Sequence, residues 1–156
     1  MKLFRFGSDP RRPAAQEFAG TGGLVGDGRW HFIGTPCVYT ATCEPLALLE
    51  KLIHRGRRRP RSYSLYIADL PDSLAEELQP EDYPIDWRSI YPPASTQRLG
   101  NDWLIEKMRV GLIVPSVLLS GLDDPRIKNC LLNPLHPDFD QVTISGPIAF
   151  GLDPRF

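Results

Sequence analysis

Apolar and polar positions along this chain alternate in short, often interrupted runs. Residues 62–68 alternate with Tyr63, Leu65 and Ile67 on one side, a period of two that predicts a half-buried strand. Cys37-Val38-Tyr39-Thr40, entered from Gly34-Thr35-Pro36, is a second β-prone run. Between them Leu46, Leu49 and Ile53 recur at helical spacing; with Thr42 as N-cap and Pro45 in the first turn, they predict a helix ending near His54. Further along, the pattern predicts a short helix over 73–78 and another over 101–107 around Trp103 and Leu104. A strand over 112–118 follows, which Pro115 confines to an edge or a bulge. Two closing strands, 142–145 and 148–150, are split by Gly146-Pro147. The first thirty residues read as loop, where Gly20-Thr21-Gly22-Gly23 and Gly26-Asp27-Gly28 allow close backbone approach. No repeat or linker divides the chain, so the expectation is one mixed α/β (α+β) domain over 1–156, with short strands and few helices.

Composition changes this picture in three ways. The chain has 156 residues, 42% hydrophobic and 24% charged, which describes a soluble globular domain and excludes a fibrous or disordered one. Its 16 prolines, about twice the usual ~5%, account for the broken runs. Eighteen Lys+Arg against 19 Asp+Glu leave a net charge of −1, so no general basic field advertises a nucleic-acid partner. The local run Arg55–Arg61 is the exception, read either as a solvated loop or as a contact for RNA or an acidic protein. Cys37, Cys43 and Cys130 are odd in number and lack C-x-x-C spacing, and His31, His54 and His136 lack ligand spacing. Neither a disulfide framework nor a metal site is expected. Without a signal-peptide core or an apolar run of about 18 residues, a cytoplasmic location is expected.

Candidate chemistry is sparse. Glu50 lies four residues after Leu46 and three before Ile53, at the margin of the predicted apolar stripe, where a carboxylate is costly unless paired. Arg29 follows the glycine-rich segment and can offer a fork of N–H donors to a phosphate; Trp30 and Tyr39 can offer flat surfaces to a cationic ring. Ser116, directly after Pro115, can present a hydroxyl from a distorted strand. Each admits a plainer reading: Glu50 turned to solvent or paired with His54, Arg29 a surface charge, Trp30 in the core, Ser116 structural. The glycines form neither a P-loop nor a dinucleotide fingerprint, and Ser116 lacks the G-x-S-x-G setting of a hydrolase elbow.

Taken in order, several segments resemble the RES domain family. Gly28-Arg29-Trp30, Gly34–Ala41, and Ala47-Leu48-Leu49-Glu50 with His54 are similar to its first half. Gly100–Leu104, Val114-Pro115-Ser116 and Asn129–Phe139 are similar to its second half, and Phe150–Phe156 to its usual ending. One departure is local: the family generally reads Gly-Gly-Arg-Trp-Asn, and this chain reads Asp27-Gly28-Arg29-Trp30-His31.

The resemblance implies a compact fold related to ADP-ribosyltransferases and the role of a toxin that consumes NAD⁺. The family's Arg, Glu and Ser fall on Arg29, Glu50 and Ser116, and its active-site tyrosine on Tyr39. Arg29, Trp30, His31, Tyr39, Ser116 and Asn133 are then the expected dinucleotide-binding positions. NAD⁺ enters as substrate rather than as a bound cofactor, with inorganic phosphate or water as acceptor. Transfer of ADP-ribose to a protein, or a non-catalytic module using residues 55–61, are the alternatives. The implied partner is an Xre-type helix-turn-helix antitoxin, in a complex that can contain a toxin homodimer, with no membrane and no direct nucleic-acid contact.

Overall fold

The computed structural model of the chain describes residues 1–53, 62–122, 124, 126–153 and 155. His54 and the basic run 55–61 therefore lie outside the described residues, and with them the expected Glu50–His54 pair and the end of the first long helix. Seven strands form one mixed sheet: β1 (Lys2–Gly7), β2 (Val38–Ala41), β3 (Ser62–Asp69), β4 (Ala75–Glu77), β5 (Gly111–Pro115), β6 (Lys128–Leu132) and β7 (Thr143–Gly151). Their spatial order is β4-β5-β6-β2-β1-β3-β7, with β4 parallel to β5 and every other pair antiparallel. The helices are α1 (Ala14–Glu17), α2 (Gly22–Val25), α3 (Glu44–Ile53) and α4 (Ala94–Glu106). The α+β expectation holds, with one continuous sheet. No helix among the described residues is long and apolar enough to cross a membrane.

The strand missing from the sequence reading, β1, sits between β2 and β3. Leu3 packs on one side of the sheet with Tyr66 and Ala68, while Phe4 and Phe6 pack on the other with Ala41, Leu46 and Tyr63. A strand buried on both faces shows no clean alternation, and Arg5 in its middle disguises it further. Arg5 is satisfied in place: its Nε donates to the buried Glu17 carboxylate at 2.9 Å and its Nη1 to the Tyr39 carbonyl at 2.8 Å. For the same reason β3 is not half-buried as expected. Its Tyr63 side meets α3, and its Tyr66 and Ala68 side is also core.

Other expectations shift locally. Residues 72–74 form a single 3₁₀ turn and 75–77 a strand, not a helix over 73–78. The helix around Trp103 is longer than 101–107, starting after Pro93 and ending at Lys107, whose φ of 53° is left-handed. Pro115 ends β5, which is an interior strand rather than an edge. The two closing strands are one, β7, kinked at Gly146-Pro147, where φ of 116° requires glycine, and with a register shift opposite Leu65 and Ile67. Thr42 does not cap α3; its hydroxyl donates to the Arg126 and Lys128 carbonyls and accepts the Lys128 N–H, fastening the start of α3 to the start of β6.

Register decides which side chains share the functional face. Tyr39 lies opposite Leu131 and Ala41 opposite Asn129, while Leu112 and Val114 pair with the same two β6 residues from the other side. These six residues therefore leave the sheet on one face. Helix α3 covers Ala41 with Leu46 and Ala47. Helix α4 covers Leu112, Val114 and Leu131 with Trp103 and Leu104, and Trp30 fills the space beside them.

Candidate active site

Glu50 enters the protein rather than edging it. The buried face of α3 is Leu46 and Ala47, whereas Leu49 and Ile53 are exposed, so the predicted stripe was turned toward the wrong side. Four and three residues after that buried pair, Glu50 points at the sheet, half-buried. Its Oε1 accepts the Ser116 hydroxyl at 2.8 Å and the Asn129 side-chain N–H at 2.6 Å. Ser116 and Asn129 are both buried, and Asn129 stands on β6 beside Ala41. Sequence reasoning missed Asn129 because 128–132 was not read as a strand. Had it been, the period of two would have set this amide on the same side as the core residue Leu131, a polar group at an inward position. Its Oδ1 is buried without a hydrogen-bond partner among the described residues.

The glycine-rich loop is held by α4. Thr96 donates to the Arg29 carbonyl at 2.6 Å, and Gln97 Nε2 donates to Asp27 Oδ2 at 2.9 Å and to the Gly28 carbonyl at 3.0 Å. Thr35 donates to Asn101 Oδ1 at 2.7 Å. A side chain at Gly100 would put its Cβ 2.1 Å from the Trp30 carbonyl oxygen, so the helix backbone lies directly on the loop. Trp30 is 1% exposed. It is a core ring, and the expectation that it packs a nicotinamide is corrected: no face is open.

Tyr39 is fixed at its hydroxyl. The Trp30 N–H donates to it at 3.0 Å, and it lies 2.9 Å from His31 Nδ1, while His31 Nε2 lies 3.1 Å from the Gly26 carbonyl. A carbonyl only accepts, so Nε2 carries the proton and Nδ1 accepts from Tyr39. Burial lowers the His31 pKa from its ordinary 6.5, only partly offset by the Gly26 carbonyl and Asp27, which favours this neutral imidazole. Burial also holds the Tyr39 phenol well above its ordinary 10.0. His31 is therefore a buried support for Tyr39, with both nitrogens committed, rather than a group presented to a dinucleotide.

This arrangement has a pH signature. Because the folded His31 pKa lies below the unfolded value of 6.5, the unfolded chain binds the extra proton first as pH falls. Stability attributable to His31 should be level above about pH 6.5, decline below it, and level off beneath the folded pKa. Urea midpoints between pH 7.5 and 5 should slope more steeply in wild type than in His31→Gln; parallel slopes would refute the assignment.

Arg29 is also occupied. Its Nη1 donates to the Trp87 carbonyl at 2.8 Å and its Nη2 to the Ser89 carbonyl at 2.9 Å, with Ile90 O at 3.4 Å. Burial lowers its pKa from 12.5, and nearby Glu50 and Tyr39 raise it in part, so it remains a cation in the neighbourhood of both. The expected free fork for phosphate is instead a strut to the main chain of 87–90. Asn133 is likewise committed: its Nδ2 donates to the Leu104 carbonyl at 2.8 Å and its Oδ1 accepts the Leu135 N–H at 3.1 Å. Buried, with its amide engaged at both ends, it organises the turn after β6, and its expected ligand role is not supported.

A cleft of about 570 Å³ opens at Ser116, between residues 80–88 and 115–128, a size ordinary for small-molecule sites. Ser116 lines it directly, Glu50 meets it through Ser116, and Arg29 braces Trp87 in its wall. Two of the three thiols are shut away. Cys37 and Cys130 are buried, and burial pushes Cys130 up to about 12.

A seven-stranded α+β fold with an Arg, a Tyr, a Glu and a Ser gathered from its loops, one strand and one helix defines the class to which the comparisons point. A family model for the RES domain matches residues 2–153. "Toxin Res" of Yersinia enterocolitica is 37% identical over 148 residues, 93% of each chain. "Prs ADP-ribosylating toxin" of Sphingobium sp. is 29% identical over 157 residues, 98% of this chain and 94% of that one. In fold the chain is similar to one in the crystal structure of the M. tuberculosis MbcT–MbcA toxin–antitoxin complex, with a TM-score of 0.71, 15% identity, and coverage of 99% of this chain and 85% of that chain. This chain belongs to the RES domain family.

Proposed function

We propose that this protein is the toxin of a toxin–antitoxin pair and that it consumes NAD⁺ by cleaving the bond between nicotinamide and ribose. The observation that carries the reading is the Ser116–Glu50–Asn129 cluster, which meets the cleft at Ser116. Breaking the N-glycosidic bond sends its electron pair to the nicotinamide, which becomes neutral, and leaves oxocarbenium character on the ribose. Glu50 supplies fixed negative charge for that cation, held in orientation by two donors so that little reorganisation is needed when the charge develops. Tyr39, its hydroxyl already committed, contributes its ring to the cationic nicotinamide. Ser116 orients Glu50 and reaches ribose or phosphate oxygens from the cleft. Arg29 sets the wall and adds positive charge near the dinucleotide's phosphates. Phosphate or water then bonds to the anomeric carbon, water losing its proton.

The partner we infer is an Xre-type helix-turn-helix antitoxin, and the compartment the cytoplasm. Support for an antitoxin comes from the fold shared with a chain of a toxin–antitoxin complex and from relatives named as toxins. A second reading, ADP-ribosylation of a protein, is favoured by the Sphingobium relative's name. One experiment separates them: purified protein free of antitoxin, given labelled NAD⁺ and a dialysed cell lysate as a source of protein acceptors, with and without phosphate. Free nicotinamide with soluble ADP-ribose or its phosphorylated form is expected. Label accumulating on macromolecules would favour the second reading, and intact NAD⁺ in both buffers would overturn both.

A further inference from the structure

The described residues lining the cleft include two cations, Arg88 and Lys128, and no acid. Lys128 is half-buried. Its backbone is fixed by the Thr42 hydroxyl and by its register opposite Pro115, the residue before Ser116. Its ammonium makes no ion pair among the described residues, and nearby Asp124 is taken by Arg126 at 2.7–3.2 Å. Arg88 is fixed differently, with its guanidinium 4.8 Å from the Trp87 ring centroid, and it likewise has no ion pair among the described residues. Lys128 thus brings to the cleft a positive charge that is engaged in no ion pair among the described residues. Arg29, which would otherwise take that role, spends its forked donors on carbonyls.

We propose that Lys128 is the phosphate seat of the cleft, binding a phosphate oxyanion beside Ser116 with Arg88 on the other lining segment. The inference rests on the NAD⁺ reading for its biological ligand but not for its chemistry. Two sources share that chemistry: the pyrophosphate of the dinucleotide and the inorganic phosphate that would act as acceptor. A lysine suits either as a mobile point charge, whereas Arg88 is held by its stacking.

The test is calorimetric titration of wild type, Lys128→Met and Lys128→Arg with ADP and, separately, with inorganic phosphate. Neither probe contains the scissile bond, so turnover plays no part. If the seat holds the pyrophosphate, Lys128→Met weakens ADP binding by about tenfold or more, the loss expected for one charge-assisted contact, and Lys128→Arg recovers most of it. If it holds the acceptor, phosphate binding falls by a similar factor while ADP binding is unchanged. Losses below about twofold for both probes, or no binding of either by wild type, would overturn the seat. Thermal midpoints of the variants within a few degrees of wild type are required with the expected result; weakened binding that only follows a loss of folding, and that Lys128→Arg does not recover, also overturns it. Failure of the NAD⁺ reading would appear separately, as absent nicotinamide release with Lys128-dependent ADP binding intact.

Discussion

Glu50→Gln should lower nicotinamide release by ~10²–10³-fold, the range seen when one preorganised electrostatic contact is removed from an active site. The substitution isolates charge from shape. Glutamine has the same length, and its amide oxygen can still accept the Ser116 hydroxyl and the Asn129 N–H, which in the native protein converge on Oε1 at 2.8 and 2.6 Å. What disappears is the negative charge opposite a developing cation. Folding should survive, because the helix that carries residue 50 is seated by Leu46 and Ala47 rather than by the carboxylate. Turnover near that of wild type, with NAD⁺ saturating, would remove Glu50 from the chemistry. The same variant expressed alone in cells should no longer arrest growth, so the enzymatic and cellular outcomes are expected to move together.

The largest structural effect is expected at a residue with no side chain. In Gly100→Ala the new methyl would lie 2.1 Å from the Trp30 carbonyl oxygen and 2.9 Å from Trp30 C and Cβ. Alanine is favoured over glycine inside a helix by about 1 kcal/mol. Here that gain is opposed by contact with a main-chain carbonyl that has no rotamer to escape into, below a tryptophan that is fully buried. Overpacking of this kind costs about 1–3 kcal/mol and sometimes more. The damage should not stay in the helix. Residues 27–31 are tied to α4 by Thr96 and Gln97 and to Tyr39 through the Trp30 N–H, so a displaced loop disturbs Arg29 and Tyr39 together. A lower urea midpoint with reduced turnover below it is expected. Gly22→Ala, where nothing lies within 4 Å of the added atom, is the control that should leave both unchanged. An unchanged midpoint in Gly100→Ala would refute the packing argument.

How far the sequence could be read follows from what each residue's surroundings reveal in one dimension. The β2 run, the α3 helix and β3 carry short-range periodicity and were legible from it. β1 was not, because a strand covered on both sides has no polar face to set its period, and the charge in its middle, Arg5, is cancelled by Glu17, twelve residues away. Register was hidden too, and it is register that gathers Tyr39, Asn129 and the Ser116 end of β5 on a common side. Arg29, Tyr39, Glu50 and Ser116 emerged from an ordered resemblance spanning the chain rather than from any single motif. What no linear reading supplied was the orientation of each group: Trp30 inward, Arg29 toward carbonyls, Glu50 on the inner rather than the marginal face of its helix.

The grip of Arg29 on residues 87–90 is made through main-chain oxygens alone. Any amino acid except one that reshapes the backbone presents the same oxygens. The aperture of the cleft is therefore gauged independently of what decorates its rim. Ser89 and Ile90, both exposed, can be exchanged during evolution to suit a changing neighbour while the opening behind them keeps its calibre.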